Sequence, residues 1–130
     1  MSATAIHRDT LGGRPYRFRL GLAQLEELQE RTGTGPLATL TRLMNGTWFV
    51  ADRREPILLG LIGGGDVSPQ EALRLVERYV DARPLAESAP LAMDILRAAC
   101  FGDPDDEDAD PGNGKAGEAG TASPSPASTG

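Results

Sequence analysis

Apolar positions along this chain change their period once, and the change predicts a short sheet followed by helices. Residues Pro15-Tyr16-Arg17-Phe18-Arg19-Leu20 alternate, with Tyr16, Phe18 and Leu20 on one face and Arg17 and Arg19 on the other, the pattern of a half-buried strand. Leu11-Gly12-Gly13-Arg14 supplies a turn before it, and Ala3 to Arg8 supplies the partner strand of a hairpin. Two strands alone are not stable in water, so their apolar face must pack on helices.

The period then lengthens to that of a helix. Leu22, Leu25 and Leu28 recur on one face, and Gly33 stops that segment. Pro36, a favoured first-turn residue, opens a second helix that carries Leu37, Leu40, Leu43 and Met44 and ends at Asn45-Gly46. Trp48 and Phe49 fall at a junction, where large rings commonly fill the space between helices. The third helix opens on the polar run Asp52-Arg53-Arg54-Glu55. Pro56 cannot donate to the helix ladder, so the helix either starts near Ala51 with a kink or becomes regular only at Pro56. From Ile57 to Ile62 it is apolar nearly all round, which predicts central burial.

Ser68-Pro69-Gln70-Glu71 reads as a capping box, with Ser68 as N-cap and Glu71 reaching back to it. The helix it opens has two adjacent stripes, Leu73, Val76, Val80 and Ala72, Leu75, Tyr79, and Pro84 forces its end near Asp81-Ala82-Arg83. A last helix lies within Leu85 to Phe101, regular from around Ser88, with Leu91, Ile95, Leu96 and Ala99 inward and Gly102 closing it. The predicted fold is mainly α: an N-terminal β-hairpin followed by four or five short helices.

Composition sharpens the boundary at Gly102. The chain of 130 residues has a net charge of −6, yet residues 1–102 hold 12 Arg against 12 acidic residues. The excess acid lies in residues 103–130, where DPDDEDAD precedes a run of Gly, Ala, Ser, Thr and Pro with almost nothing to bury. The expected organisation is therefore a folded unit over 1–102 and a disordered acidic tail over 103–130. A neutral folded unit with one Trp and no basic stripe argues against nucleic acid as a partner. The single Cys100 rules out an intrachain disulfide and fits a reducing compartment. No signal peptide is expected, and the longest apolar run falls far short of the ~20 residues of a membrane helix. The expected location is the cytoplasm.

GLIGGG, residues 60–65, raises the possibility of a phosphate loop. Gly60 and Gly65 have the spacing of the two glycines of a Walker loop, but Asp66 occupies the lysine position and no Ser or Thr follows it. A carboxylate there would repel a phosphate. The dinucleotide fingerprint fails as well, because Ser68 stands where its third glycine belongs. The glycines are read as a turn instead, with a helix ending at Gly63, a turn through Gly64 and Gly65, and Asp66-Val67 leading to the Ser68 cap. Asp106, Asp108 and Asp110 have the first spacings of a calcium loop, but Pro111 and Gly117 break it, so a solvated linker is expected. A thiol nucleophile at Cys100 would need His7, the only histidine, from across the fold. Glu26, Glu27, Glu30 and Asp94 look like exposed helix positions rather than an acid–base pair. No catalytic group, cofactor site or metal site is predicted, so the protein is expected not to be an enzyme.

The segments YRFRLGLAQLEELQERTG, GPLATLTRLMNGTW and LLGLIGGGDVSPQEALRLVERYVDARPLAESAPLAMDILRAACFG together carry a resemblance. Over Arg14 to Gly102 the chain resembles the small tail assembly chaperones of gene transfer agents and related long-tailed phages, with GLIGGG and the later Tyr79, Arg83, Pro84 and Leu85 as the more specific points. Pro56 departs from it, standing where the family continues a helix. The resemblance implies a non-enzymatic role: binding the tape-measure protein, and in some cases tail-tube subunits, while the tail is built in the producing bacterial cell. The alternatives are a minor structural tail or connector protein retained in the particle, and a small nucleic-acid-binding regulator. As the contact surface we single out Trp48, Arg53 and Arg54, where polar and aromatic residues meet at the disturbed helix start. Pro84 is assigned, with Gly63, Gly64, Gly65, Ser68 and Glu71, to turns and caps.

Overall fold

The computed structural model describes residues 5–102, so the acidic run after Gly102 and the first residues of the expected partner strand lie outside the described residues. Two antiparallel strands, β1 (Ile6–Leu11) and β2 (Arg14–Arg19), precede five helices: α1 (Leu22–Thr32), α2 (Pro36–Asn45), α3 (Val50–Gly64), α4 (Pro69–Val76) and α5 (Ala89–Phe101). A π-helical turn, Glu77–Asp81, continues α4. The mainly α fold with an N-terminal hairpin is as the periodicity predicts.

The hairpin pairs Leu11 with Arg14 and Ile6 with Arg19, so β1 runs three residues beyond the expected Arg8. The turn shrinks to Gly12-Gly13, both at positive φ (61° and 81°), as a tight two-residue hairpin turn demands. Phe18 and Leu20 enter the core and Arg17 stays outside, which preserves the alternation.

The helices bury fewer of their apolar residues than the stripes suggest. Leu28, Leu40, Leu43, Val76, Val80, Leu91, Ile95 and Leu96 are in the core, but Leu22 is 73% exposed at the start of α1, and Leu37, Met44 and Leu73 are also exposed. Along α4 and the π-turn the buried row is Ala72, Val76 and Val80, with Leu75 and Tyr79 half-buried beside it. Gly33 and Gly46 end α1 and α2 in the left-handed conformation. Ser68 caps α4 by accepting the Glu71 N–H at 3.1 Å, and this is the half of the expected box that forms.

α3 is the central element, touching both strands' sheet and the other helices. It begins at Val50 and runs unbroken through the buried Pro56. Every residue from Pro56 to Leu61 is buried, as an all-round apolar helix requires. The helix does not stop at Gly63. Gly63 and Gly64 are its last residues, and Gly65 alone makes the left-handed cap at φ 81°. Their glycine character has a different cause from a turn. A Cβ on Gly63 would overlap the Arg19 carbonyl oxygen, and one on Gly64 would overlap that of Arg17. Two successive glycines thus let the end of α3 lie against the backbone of β2.

Asp66 completes this junction. Its carboxylate accepts the Arg17 backbone N–H at 2.8 Å and the Arg17 guanidinium at 3.1 and 2.7 Å. The residue that blocks a phosphate reading is therefore a clamp on the open edge of β2, satisfying a backbone donor that no strand reaches.

Two outcomes follow from this junction. Gly63→Ala and Gly64→Ala should each lower stability by about 3 kcal/mol or more, since backbone must move to admit a methyl group. Gly60→Ala, whose added carbon would meet Phe18 and Ile95 side chains at 3.3 and 3.4 Å, should stay within about 1 kcal/mol of the parent, measured by urea unfolding. The second outcome concerns pH. The Arg17 hydrogen bonds hold Asp66 below the usual carboxylate range, so its contribution is present above the unfolded-state value and fades as pH falls through the lower folded one. Asp66→Asn should destabilise the protein at pH 7, and the gap to the parent should close on acidification below the carboxylate range.

Candidate partner-binding surface

The polar start of α3 is turned inward rather than outward. Asp52 is fully buried and accepts Arg42 Nε at 2.8 Å, Arg42 Nη2 at 2.6 Å and the Phe49 N–H at 2.8 Å, so it caps α3 and ties α2 to it. Glu55 accepts Arg31 Nη1 at 2.7 Å and Arg54 Nη1 at 3.0 Å, and Arg54 Nε donates to Asp81 at 2.9 Å. The charged run is thus one network joining α1, α2, α3 and the π-turn.

Arg53 is buried as well, at 2% exposure. Its Nη1 donates to the Val80 carbonyl at 3.0 Å and sits 3.4 Å from Ser88 Oγ, while Nε finds no partner among the described residues. Burial holds the guanidinium below its usual range, partly offset by Asp81. The π-turn supplies its carbonyl partner: the Ala82 N–H reaches back five residues to Glu77 at 3.2 Å, an extra residue in the turn.

These positions correct the expected contact surface. Arg53 is not presented to a partner, and Arg54 is committed to two carboxylates. Trp48 is half-buried against the core. Phe49, by contrast, is 63% exposed, with the Arg42 guanidinium 4.8 Å above its ring. Val50 beside it, and Leu37 and Met44 on α2, are exposed too. Leu37, Thr41 and Met44 share a helix face by spacing, so α2 and the start of α3 offer apolar side chains to solvent. Pro84 follows the π-turn, its carbonyl accepting the Glu87 N–H at 3.1 Å.

A second surface lies at the hairpin end. An open cleft of about 570 Å³ is bounded by Leu11, Gly12, Tyr79, Arg83 and Leu91, and an adjoining one of about 310 Å³ by Arg14, Glu71, Arg74 and Arg78. Tyr79 lies between them, its ring so close to Gly12 that a Cβ there would overlap it.

Elsewhere, His7 Nε2 is 3.0 Å from Asp9 Oδ2 and 3.9 Å from Asp94 Oδ2. The three could hold a divalent cation, but Asp94 already pairs with Arg97 at 3.2 Å, and both carboxylates are only half-buried. Cys100 is half-buried and burial raises its thiol, the opposite of an activated nucleophile. No helix among the described residues is long and apolar enough to cross a membrane.

Arg53 gives the sharpest test of this interior. Arg53→Ala should cost about 3 kcal/mol by urea unfolding, since it leaves a void at the junction of α3, α5 and the π-turn. Arg53→Met should cost clearly less, because it refills the volume without a desolvated charge and the Val80 carbonyl keeps the Arg83 N–H at 3.2 Å.

No curated protein and no solved structure matches the chain. A family model does match, over residues 5–102, the whole described fold. Its description names a tail tube protein rather than a chaperone. This chain belongs to the family described as phage tail tube protein, GTA-gp10.

Proposed function

We propose that the protein serves tail building without catalysis, by binding other tail proteins, and that it remains in the finished tail as a minor structural part. The observation that carries this reading is the extent of the family match, which covers hairpin and all five helices rather than one motif. The surface is consistent with binding as the mode of action. Phe49, Val50, Leu37 and Met44 are large apolar groups that a partner could cover, and the clefts beside Tyr79 are shallow and open.

A second reading keeps the same partners but not the same fate. Exposed apolar side chains also suit a tail assembly chaperone that shields a tape-measure protein, or tail-tube subunits, and leaves before the particle is complete. The two differ in one measurable quantity. Purified particles, quantified by mass spectrometry against the producing-cell lysate, should contain this chain at a constant ratio to the major tail protein. Its presence in lysate complexes with the tape-measure protein, and its absence from particles, would replace the structural reading with the chaperone one. Phe49→Glu should reduce recovery of the partner by at least about tenfold in co-purification, because a buried aromatic contact is commonly a hot spot, while losing the Arg42 contact to its ring should lower stability by no more than about 1 kcal/mol.

A further inference from the structure

Most arginines of this fold are already occupied. Arg17, Arg31, Arg42, Arg54, Arg83 and Arg97 are each held in an ion pair. Arg14, Arg74 and Arg78 are exposed and enter no ion pair among the described residues, and all three line the adjoining cleft beside Tyr79. They come from separate elements, Arg14 from the hairpin, Arg74 from α4 and Arg78 from the π-turn. Arg19, also outside any ion pair among the described residues, does not line it.

The floor of this cleft is apolar, with Leu11 buried and Leu75 and Tyr79 half-buried. Arg78 sits with its guanidinium 5.5 Å from the centre of the Tyr79 ring. Glu71 is the acid on this rim; Glu87, on the neighbouring cleft, is taken up by Arg83 at 3.0 Å. Three free cations against one carboxylate leave a local positive excess on a unit whose charges otherwise balance.

The geometry points to this cleft as the docking site for an acidic segment of a partner tail protein, an apolar side chain resting beside Tyr79 and carboxylates meeting Arg14, Arg74 and Arg78. The inference rests on the reading that the protein works by binding tail proteins, and it names the chemistry of one such contact. Charge complementarity selects the occupant: guanidinium groups around an apolar floor favour carboxylates carried next to an apolar residue. The spread is short, so a peptide fits where a duplex backbone would need a continuous basic stripe.

A direct binding measurement tests it with the full chain. A short fluorescein-labelled peptide rich in glutamate with one central leucine should raise its anisotropy on titration, and added salt should weaken binding. A matched peptide with glutamine in place of glutamate should bind at least about tenfold more weakly. Arg74→Glu/Arg78→Glu should lose the same factor while unfolding like the parent, since both side chains are exposed; Arg97→Glu, outside the cleft, should leave binding unchanged. Equal binding of both peptides, no effect of the double reversal, or tighter binding of duplex DNA than of the acidic peptide overturns the assignment. Such a failure leaves particle retention untouched, whereas absence from particles with intact peptide binding removes only the structural reading.

Discussion

The close approach of α3 to β2 is the constraint on which the rest of the molecule hangs. A hairpin has too little surface to persist by itself, and here it is held by backbone contact that only glycine permits at Gly63 and Gly64. Asp66 then grips Arg17 by both main chain and side chain. With the sheet set in this way, Phe18 reaches the core beside Gly60, and the Gly12-Gly13 turn is carried to Tyr79. The cleft at the hairpin end is a downstream product of packing at the far end of a helix.

The other half of α3 solves a different problem. A central helix that were apolar throughout would pack without a preferred rotation about its axis. Asp52, Arg53 and Glu55 remove that freedom, because each has partners on a different element. Buried polar groups of this sort add little net stability, and what they set is which helix faces which. The ledger of charges in the folded unit balances in sequence because much of it balances in space.

How much of this the sequence disclosed depended on how local each cause is. Caps are local: Gly33, Gly46 and Ser68 are legible from their neighbours alone, and so is the alternation around Phe18. Gly63 and Gly64 read in sequence as a helix end and a turn, because the reason for them, the carbonyls of Arg19 and Arg17, lies far away in the chain. Arg53 and Arg54 looked like surface because polar runs usually are, and nothing nearby in sequence announces Val80 or Asp81 as partners. Leu22 and Met44 fit an apolar stripe yet stay exposed, since periodicity counts spacing and cannot tell whether a neighbour arrives. The convergence of Arg14, Arg74 and Arg78 is likewise a property of topology. On family, the quoted segments pointed to the tail of a gene transfer agent or phage, and the match over residues 5–102 agrees at that level.

The π-turn at Glu77–Asp81 has a further consequence, which concerns chain length. An α-helix advances roughly 100° per residue, so a surplus residue wound into ordinary helix would turn everything beyond it by about that angle, whereas the wider π-turn takes up the surplus locally. Val80 faces the core and Tyr79 the hairpin because the surplus is wound into the π-turn. Ordinary helical bonding through the same residues would move the ring and the arginine beside it around the axis, with no side chain altered. What opens toward the hairpin is decided by counting residues, before any of them is chosen.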